Sequence, residues 1–343
     1  MKKHCVLVSG GAGYIGSHTT VELIEAGYDV VIADNLSNSD LGAVEGVRKI
    51  TGVEVPFVEV DCCDKEQLAK ELFEKYDFDS VIHFAAYKAV GESVQKPLEY
   101  YRNNLTSLMN IIELMRTYGR HNIVFSSSCT VYGEPDKQPV TELTPRKPAT
   151  SPYGNTKTMC EDILRDSVRA YGDLNGIALR YFNPIGAHPT ALIGELPRGV
   201  PQNLVPFVTQ TAAGIRECLS VFGNDYPTPD GSNIRDYIDV VDLARAHVVA
   251  ITRMIEGKNK EAYEVFNVGT GNGVSVLELV RRFEEANGLK LNYKIADRRE
   301  GDIIAIWADP TLANEELGWK ATRNLDDTLR SAWAWEKHVR GIE

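Results

Sequence analysis

Short apolar, β-branched runs alternate with amphipathic stretches through the first 180 residues of the chain. Runs at residues 4–9, 29–33, 55–60, 80–85, 122–126 and 176–181 predict strands. Between them, residues 15–26, 65–75 and 103–118 predict helices. In the last of these, Leu105, Leu108, Met109, Ile112 and Met115 recur at a spacing that places them on one helical face. Strict alternation of strand and helix predicts an α/β fold, a Rossmann-like doubly wound parallel sheet with helices on both faces.

Beyond Asn183 the texture changes. Pro184, Pro189, Pro197, Pro201, Pro206, Pro227 and Pro229 crowd into fewer than fifty residues, which predicts loops and short elements. Periodicity returns at residues 240–255, 274–286 and 325–338. The expected organisation is a larger domain over residues 1–182 and a smaller mixed α/β C-terminal domain over 183–343, with some later segments returning to the first. A ligand of such a molecule sits in the crevice between the carboxyl ends of the strands and the second domain.

Composition narrows the class. A chain of 343 residues, 43% hydrophobic and 25% charged, has the make-up of a soluble protein with a sizeable core. Its net charge of -11 repels nucleic acid, so no nucleic-acid partner is expected. An anionic ligand then has to be held by a few placed arginines and helix N-termini. Cys5, Cys62, Cys63, Cys129, Cys160 and Cys218 show no C-x-x-C spacing, which fits reduced thiols in a cytoplasmic enzyme and no metal site. The first apolar run breaks at Ser9-Gly10-Gly11, too early for a signal-peptide core, and no run approaches the roughly 20 apolar residues of a membrane span.

Gly10, Gly13 and Gly16 form a G-x-x-G-x-x-G pattern directly after the first strand, with Tyr14 and Ile15 opening the first helix. Gly10 suits a tight turn, Gly13 lets backbone approach a pyrophosphate, and Gly16 permits close packing, while the helix N-terminus favours negative charge. The same glycines also suit a simple packing turn. Asp34 ends the second strand eighteen residues after Gly16, where a carboxylate accepts hydrogen bonds from an adenosine ribose and disfavours a 2'-phosphate. NAD rather than NADP is the expected cofactor. Asp61, closing the third strand, is placed to meet the adenine edge.

Tyr153 and Lys157 stand at i and i+4, hence on one helical face, behind Ser151-Pro152 as N-cap and N1. Ser126-Ser127-Ser128 closes the fifth strand at the sheet edge where such folds hold ligands. A tyrosine has an ordinary pKa of about 10, and a nearby ammonium together with a cationic nicotinamide is expected to lower it toward working pH. Tyr153 then serves as a general base on a substrate hydroxyl, with Ser128 bridging sugar and phenol and Lys157 also binding the nicotinamide ribose.

With these residues in place the chain resembles the extended short-chain dehydrogenase/reductase family, and within it the branch that inverts carbon 4 of nucleotide sugars. The resemblance runs from Cys5 to about His338. Its most specific stretches are residues 83–93, 181–189, 222–226, 235–238 and 298–302. It implies reversible, NAD-dependent interconversion of UDP-galactose and UDP-glucose through a 4-keto intermediate, with NAD retained between turnovers. It also implies a homodimer, paired through helices at 103–118 and 153–170. Carried over residue by residue, Ser128, Tyr153 and Lys157 are catalytic; Asp34, Asn35, Asp61, Cys62, Phe84, Ala85, Ala86, Lys88, Asn103 and Phe182 join the glycine turn around NAD. For the UDP-hexose, the matching positions are Lys88, Ser128, Tyr153, Asn183, Asn203, Leu204, Phe222, Arg235, Tyr237, Arg299 and Asp302. Arg235 and Arg299 are expected on the two phosphates, since guanidinium forks suit them.

Three positions depart from the family pattern. Ala86 stands where many members have Gly, and Cys129 puts a thiol after Ser128. Ile306 stands where members confined to glucose and galactose often carry Tyr and broader ones a small residue, which extends the expectation to UDP-N-acetylhexosamines. The alternatives are a 4,6-dehydratase or decarboxylase of the same fold, and a non-catalytic NAD-sensing protein. A dehydratase needs an extra acid and base after the Ser128 position, which here holds Cys129-Thr130-Val131 with no carboxylate.

Overall fold

The computed structural model describes residues 3–299 and 302–343. Elements follow in the order β1 (Cys5–Ser9), α1 (Tyr14–Glu25), β2 (Asp29–Asp34), α2 (Leu41–Thr51), β3 (Phe57–Glu59), α3 (Lys65–Leu68), β4 (Ser80–His83), α4 (Val90–Gln95), α5 (Pro97–Thr117), β5 (Asn122–Ser128), α6 (Pro152–Tyr171) and β6 (Asn175–Tyr181). The second half continues with β7 (Asn183–Ile185), α7 (Leu204–Ala212), β8 (Leu219–Phe222), β9 (Ile234–Arg235), β10 (Tyr237–Asp239), α8 (Val240–Ile255), β11 (Tyr263–Val268), β12 (Val274–Ser275), α9 (Val276–Asn287), β13 (Tyr293–Ala296), β14 (Ala305–Ile306) and α10 (Leu325–Arg340).

Seven parallel strands form the central sheet in the order β11-β6-β5-β4-β1-β2-β3. This is the doubly wound arrangement foreseen from the alternation, with its order reversing between β1 and β4. Side chains leave successive strand positions toward opposite faces, and both faces are covered. Val6, Val8 and Ile32 join Val21 and Leu23 of α1 and Leu243 and Ile251 of α8 in one core. Leu7, Val31 and Val81 join Leu108 and Ile111 of α5 and Leu164 and Val168 of α6 in the other. A third core, built from α7, β8, α9 and α10, holds Val208, Val221, Leu279, Phe283 and Leu329.

Several differences from the sequence expectation have local causes. Helix α2 carries two glycines, yet Asp40 caps it by accepting from the Gly42 amide. Helix α5 begins six residues earlier than residue 103 because Pro97 starts it. Met109 lies off the apolar face of that helix and is 41% exposed, whereas Leu108, Ile112 and Met115 are buried. The seventh strand, β11, comes from far along the chain and pairs with β6, and α8 packs on α1. Strand β3 has only three residues, paired with β2.

The carboxyl ends of these strands deliver the functional side chains. Gly10 follows β1, Asp34 ends β2, Phe84 follows β4, Ser128 ends β5, and Phe182 follows β6.

Candidate active site

A cleft of about 1290 Å³ runs along the carboxyl edge of the sheet, from Asp34 past the glycine turn to Ser128, Tyr153 and Lys157. Its walls include Gly10, Gly13, Tyr14, Ile15, Gly16, Asn35, Asp61, Cys62, Phe84, Ala85, Ala86, Lys88, Asn103 and Phe182. Asn183, Asn203, Leu204 and Tyr237 face it from the second half of the chain.

At the nucleotide end, Gly10 has φ +74°, and a Cβ there would lie 2.8 Å from the Ala85 amide nitrogen. A Cβ on Gly16 would lie 2.3 Å from the Gly10 carbonyl oxygen, so close packing at this position is between the helix and the glycine turn itself. Gly13, the N-cap of α1, has extended backbone and no side chain capping the helix. That leaves amides at the mouth of α1 free for an anion. Asp34 accepts from the Ala12 amide (3.1 Å), the Leu36 amide (2.9 Å) and the Ser39 hydroxyl (2.7 Å). A carboxylate offers about four acceptor directions, so one remains for a ribose hydroxyl. Uncapped helix, close-approach glycines and a spare carboxylate lone pair in one cleft fit a dinucleotide. Asp61 accepts from the Cys63 amide (2.8 Å) and turns that bend beside the same wall.

At the chemical end, Ser151 caps α6 by accepting from the Gly154 amide (3.1 Å), with Pro152 starting the helix. One helical turn separates Tyr153 from Lys157, and both reach the cleft. The Ser128 hydroxyl lies near enough to the Tyr153 phenol to act on it and accepts from the Thr130 amide (3.2 Å). Lys157 Nζ donates to the Ser126 carbonyl (2.6 Å) and lies 5.8 Å from the centre of the Tyr153 ring.

Burial pushes the Tyr153 phenol well above its ordinary range, and Tyr181 adds to this, while the neighbouring Ser128 hydroxyl acts the other way. The Lys157 ammonium is pushed down to about 8 by burial, against the pull of Cys160 and Glu161. In the chain by itself burial thus outweighs the groups around the Tyr153 phenol that would lower its pKa.

Behind these residues, Glu161 receives the Arg180 guanidinium through both oxygens (2.8 and 2.6 Å) and the Ser127 hydroxyl (2.5 Å). This buried pair ties α6 to β5 and β6.

Five of the residues expected around the sugar nucleotide form a separate group. Phe222, Arg235, Arg299, Asp302 and Ile306 do not line the cleft. Arg299 donates to Asp302 (2.6 Å) and lies 5.6 Å from the Phe222 ring, and Arg235 donates to the Ile234 carbonyl (2.8 Å). Arg235 and Asp302 both sit close enough to Tyr237 to act on its phenol, which connects this group to the cleft. Ile306 is 2% exposed and packs with Cys129 and Phe182, so it acts on a sugar only through those neighbours. Glu300 and Gly301, in the stretch at 298–302, lie outside the described residues. The conspicuous Asp236 is structural: it is fully buried and accepts from the amides of Thr270, Gly271 and Ala308.

Sequence reasoning missed Glu195 and Arg198, which also line the cleft. They lie in the proline-rich segment, where neither periodicity nor motif gives a signal. Glu195 accepts from Lys88 (3.0 Å) and from Asn203 (2.7 Å).

Comparison with known proteins places this geometry. The profile of a family described as GDP-mannose 4,6 dehydratase matches residues 7–332. The UDP-glucose 4-epimerase of Bacillus subtilis is 52% identical over 339 residues, covering 98% of each chain. The human UDP-glucose 4-epimerase is 50% identical over 338 residues, covering 97% of this chain and 96% of its own. Among solved structures, the UDP-glucose 4-epimerase of Bifidobacterium longum in complex with NAD+ and UDP superposes with a TM-score of 0.94 at 46% identity, covering 99% of this chain and all of that one.

Proposed function

The chain belongs to the UDP-glucose 4-epimerase family of extended short-chain dehydrogenases/reductases, and on that premise we propose that it interconverts UDP-galactose and UDP-glucose by oxidation and reduction at carbon 4. The observation that carries this reading is one cleft holding an uncapped glycine turn at one end and the Ser128, Tyr153 and Lys157 set at the other. When bound, NAD supplies the acceptor and then the donor of the carbon 4 hydride, and a positive charge beside the phenol.

Everything else is the work of the chain. Tyr153 takes the proton of the sugar's 4-hydroxyl as the hydride leaves the same carbon, and returns it when the 4-keto sugar is reduced on its other face. Ser128, beside that phenol, holds the sugar oxygen against it. Lys157, fixed by the Ser126 carbonyl, presents its ammonium to the nicotinamide ribose. Asp34 takes the adenosine ribose and the N-terminus of α1 the pyrophosphate. Asn183, Asn203, Leu204 and Tyr237 hold the sugar nucleotide from across the cleft, and Arg235 and Arg299 meet its phosphates with Phe222 and Asp302 at the uridine end.

Residues 1–182 carry the cofactor and 183–343 the UDP-hexose, with α8 and β11 lent back to the first domain. The unbridged thiols of Cys62, Cys63, Cys129, Cys160 and Cys218 support a cytoplasmic setting. A homodimer is supported by exposed Leu98 and Met109 on α5 and Met159 on α6, an apolar stripe across two helices that pack side by side. Sedimentation showing a monomer at micromolar concentration would remove that part.

The dehydratase alternative lacks its chemistry here, since the turn after Ser128 holds Cys129 and Thr130 and no carboxylate. Incubating the protein with UDP-galactose, without added cofactor, and following the anomeric protons by NMR tests the reading. One equilibrium mixture approached from either sugar is expected. A 4-keto-6-deoxy sugar as product, or no change even with NAD supplied, would overturn it.

A further inference from the structure

Between β7 and α7 the chain leaves the substrate half and crosses the cofactor half before returning. An isolated bridge pairs Ala187 with Gly194. Beyond it, Ile193 is buried in the same core as Val47 of α2. The approach is tight enough that a Cβ on Gly46 of α2 would meet the Leu192 carbonyl oxygen and Ile193 at 2.5 Å. The chain then runs along the rim of the cleft to Arg198. Its guanidinium donates to the carbonyl oxygens of Ser37 (3.1 Å) and Ser39, in the loop that follows β2. At the far end Arg216 holds the Gly199 carbonyl (3.1 Å).

The loop held by Arg198 is the one that shapes the ribose site. Leu36 and Ser39 both donate to Asp34, the carboxylate at the end of β2. Leu36 sits in the left-handed region at φ +54°, a conformation that a leucine keeps only when its surroundings impose it. Asp34 fixes this bend from within the cofactor half, and Arg198 fixes it from the other half of the chain. A dinucleotide whose adenosine lies against Asp34 therefore meets a loop held in place by a segment of the other half.

We propose that the segment at 187–200 is a clasp that governs how slowly the dinucleotide leaves, and that Arg198 is a positioning residue that fastens it. This rests on the NAD reading above and adds to it the part that limits release. The guanidinium fork matters because it reaches two carbonyls at once, which a single ammonium does not.

The test loads the holoenzyme with isotopically heavy NAD, adds excess ordinary NAD, and follows the mass of the retained nucleotide over time. Arg198→Ala is expected to exchange at least tenfold faster than the unaltered protein. Arg198→Lys is expected to fall between them, with both variants melting as the unaltered protein does when NAD is removed, which general destabilisation would not allow. Exchange by Arg198→Ala within twofold of the unaltered protein overturns the clasp. Failure of the unaltered protein to retain any NAD overturns the cofactor reading itself, and the clasp with it.

Discussion

An ammonium enclosed as Lys157 is gives up its hydration, and the single carbonyl of Ser126 restores only part of it. Lowering its pKa from 10.5 to about 8 corresponds to a cost of about 3 kcal/mol at neutral pH, at about 1.4 kcal/mol per pH unit. The unfolded chain binds this proton up to about pH 10.4 and the folded chain only to about 8, so the cost is full below pH 8 and fades as pH rises above it. Lys157→Met is therefore expected to melt higher than the unaltered protein at pH 7, by about 1–3 kcal/mol, while losing activity. Equal or lower thermal stability, measured by calorimetry, would contradict that account. Tyr153→Phe removes the proton carrier and leaves the glycine turn and Asp34 untouched. Turnover is expected to fall roughly 100- to 10,000-fold while NAD stays bound, which mass spectrometry of the intact holoenzyme checks.

At the scale of the element, the glycine turn and the start of α1 act as one unit. Gly16→Ala places a methyl 2.3 Å from the Gly10 oxygen, so either the turn or the helix must move. NAD content after purification is expected to drop below one tenth of normal. The same substitution at Gly13, whose nearest neighbour would be 3.1 Å away, is expected to disturb the turn less. This unit was legible in the sequence because its glycines answer to local sterics, and so was the Tyr153–Lys157 face, because helical spacing is local. The N-cap at Ser151 was legible for the same reason. The pKa of Tyr153 was not, since it depends on how deeply distant segments bury the phenol. Nor was β11, where Glu264 interrupts the apolar run in order to pair with Arg253 (2.7 Å). Arg198 was invisible because its partners are two backbone carbonyls, which carry no sequence identity.

Over the whole molecule, three histidines are sealed inside as neutral rings. Burial pushes His18 and His83 down to about 3 and His247 to about 4. Unfolded, each titrates near 6.5, so between that pH and about 4 the unfolded chain binds more protons than the folded one. Their contribution to stability is full above about pH 6.5 and is lost as pH falls. The melting temperature is expected to decline steeply between pH 6.5 and 4, and a flat profile over that range would remove the histidines as its cause.

The lateness of β11 has a consequence for synthesis. Strand β6 is complete at Tyr181, but its outer edge is covered only when Tyr263–Val268 has been made, about eighty residues later. At about 5–20 residues per second, roughly 4–16 s pass on the ribosome with six strands formed and one side of the sheet open to other nascent chains. Strand β11 then becomes the edge, but it carries Glu264, paired with Arg253, where β6 offers an apolar run, so a fragment ending before Tyr263 is expected to collect in inclusion bodies and one that extends past Val268 to do so less. For this chain, the last strand of the sheet exchanges an adhesive edge for a charged one.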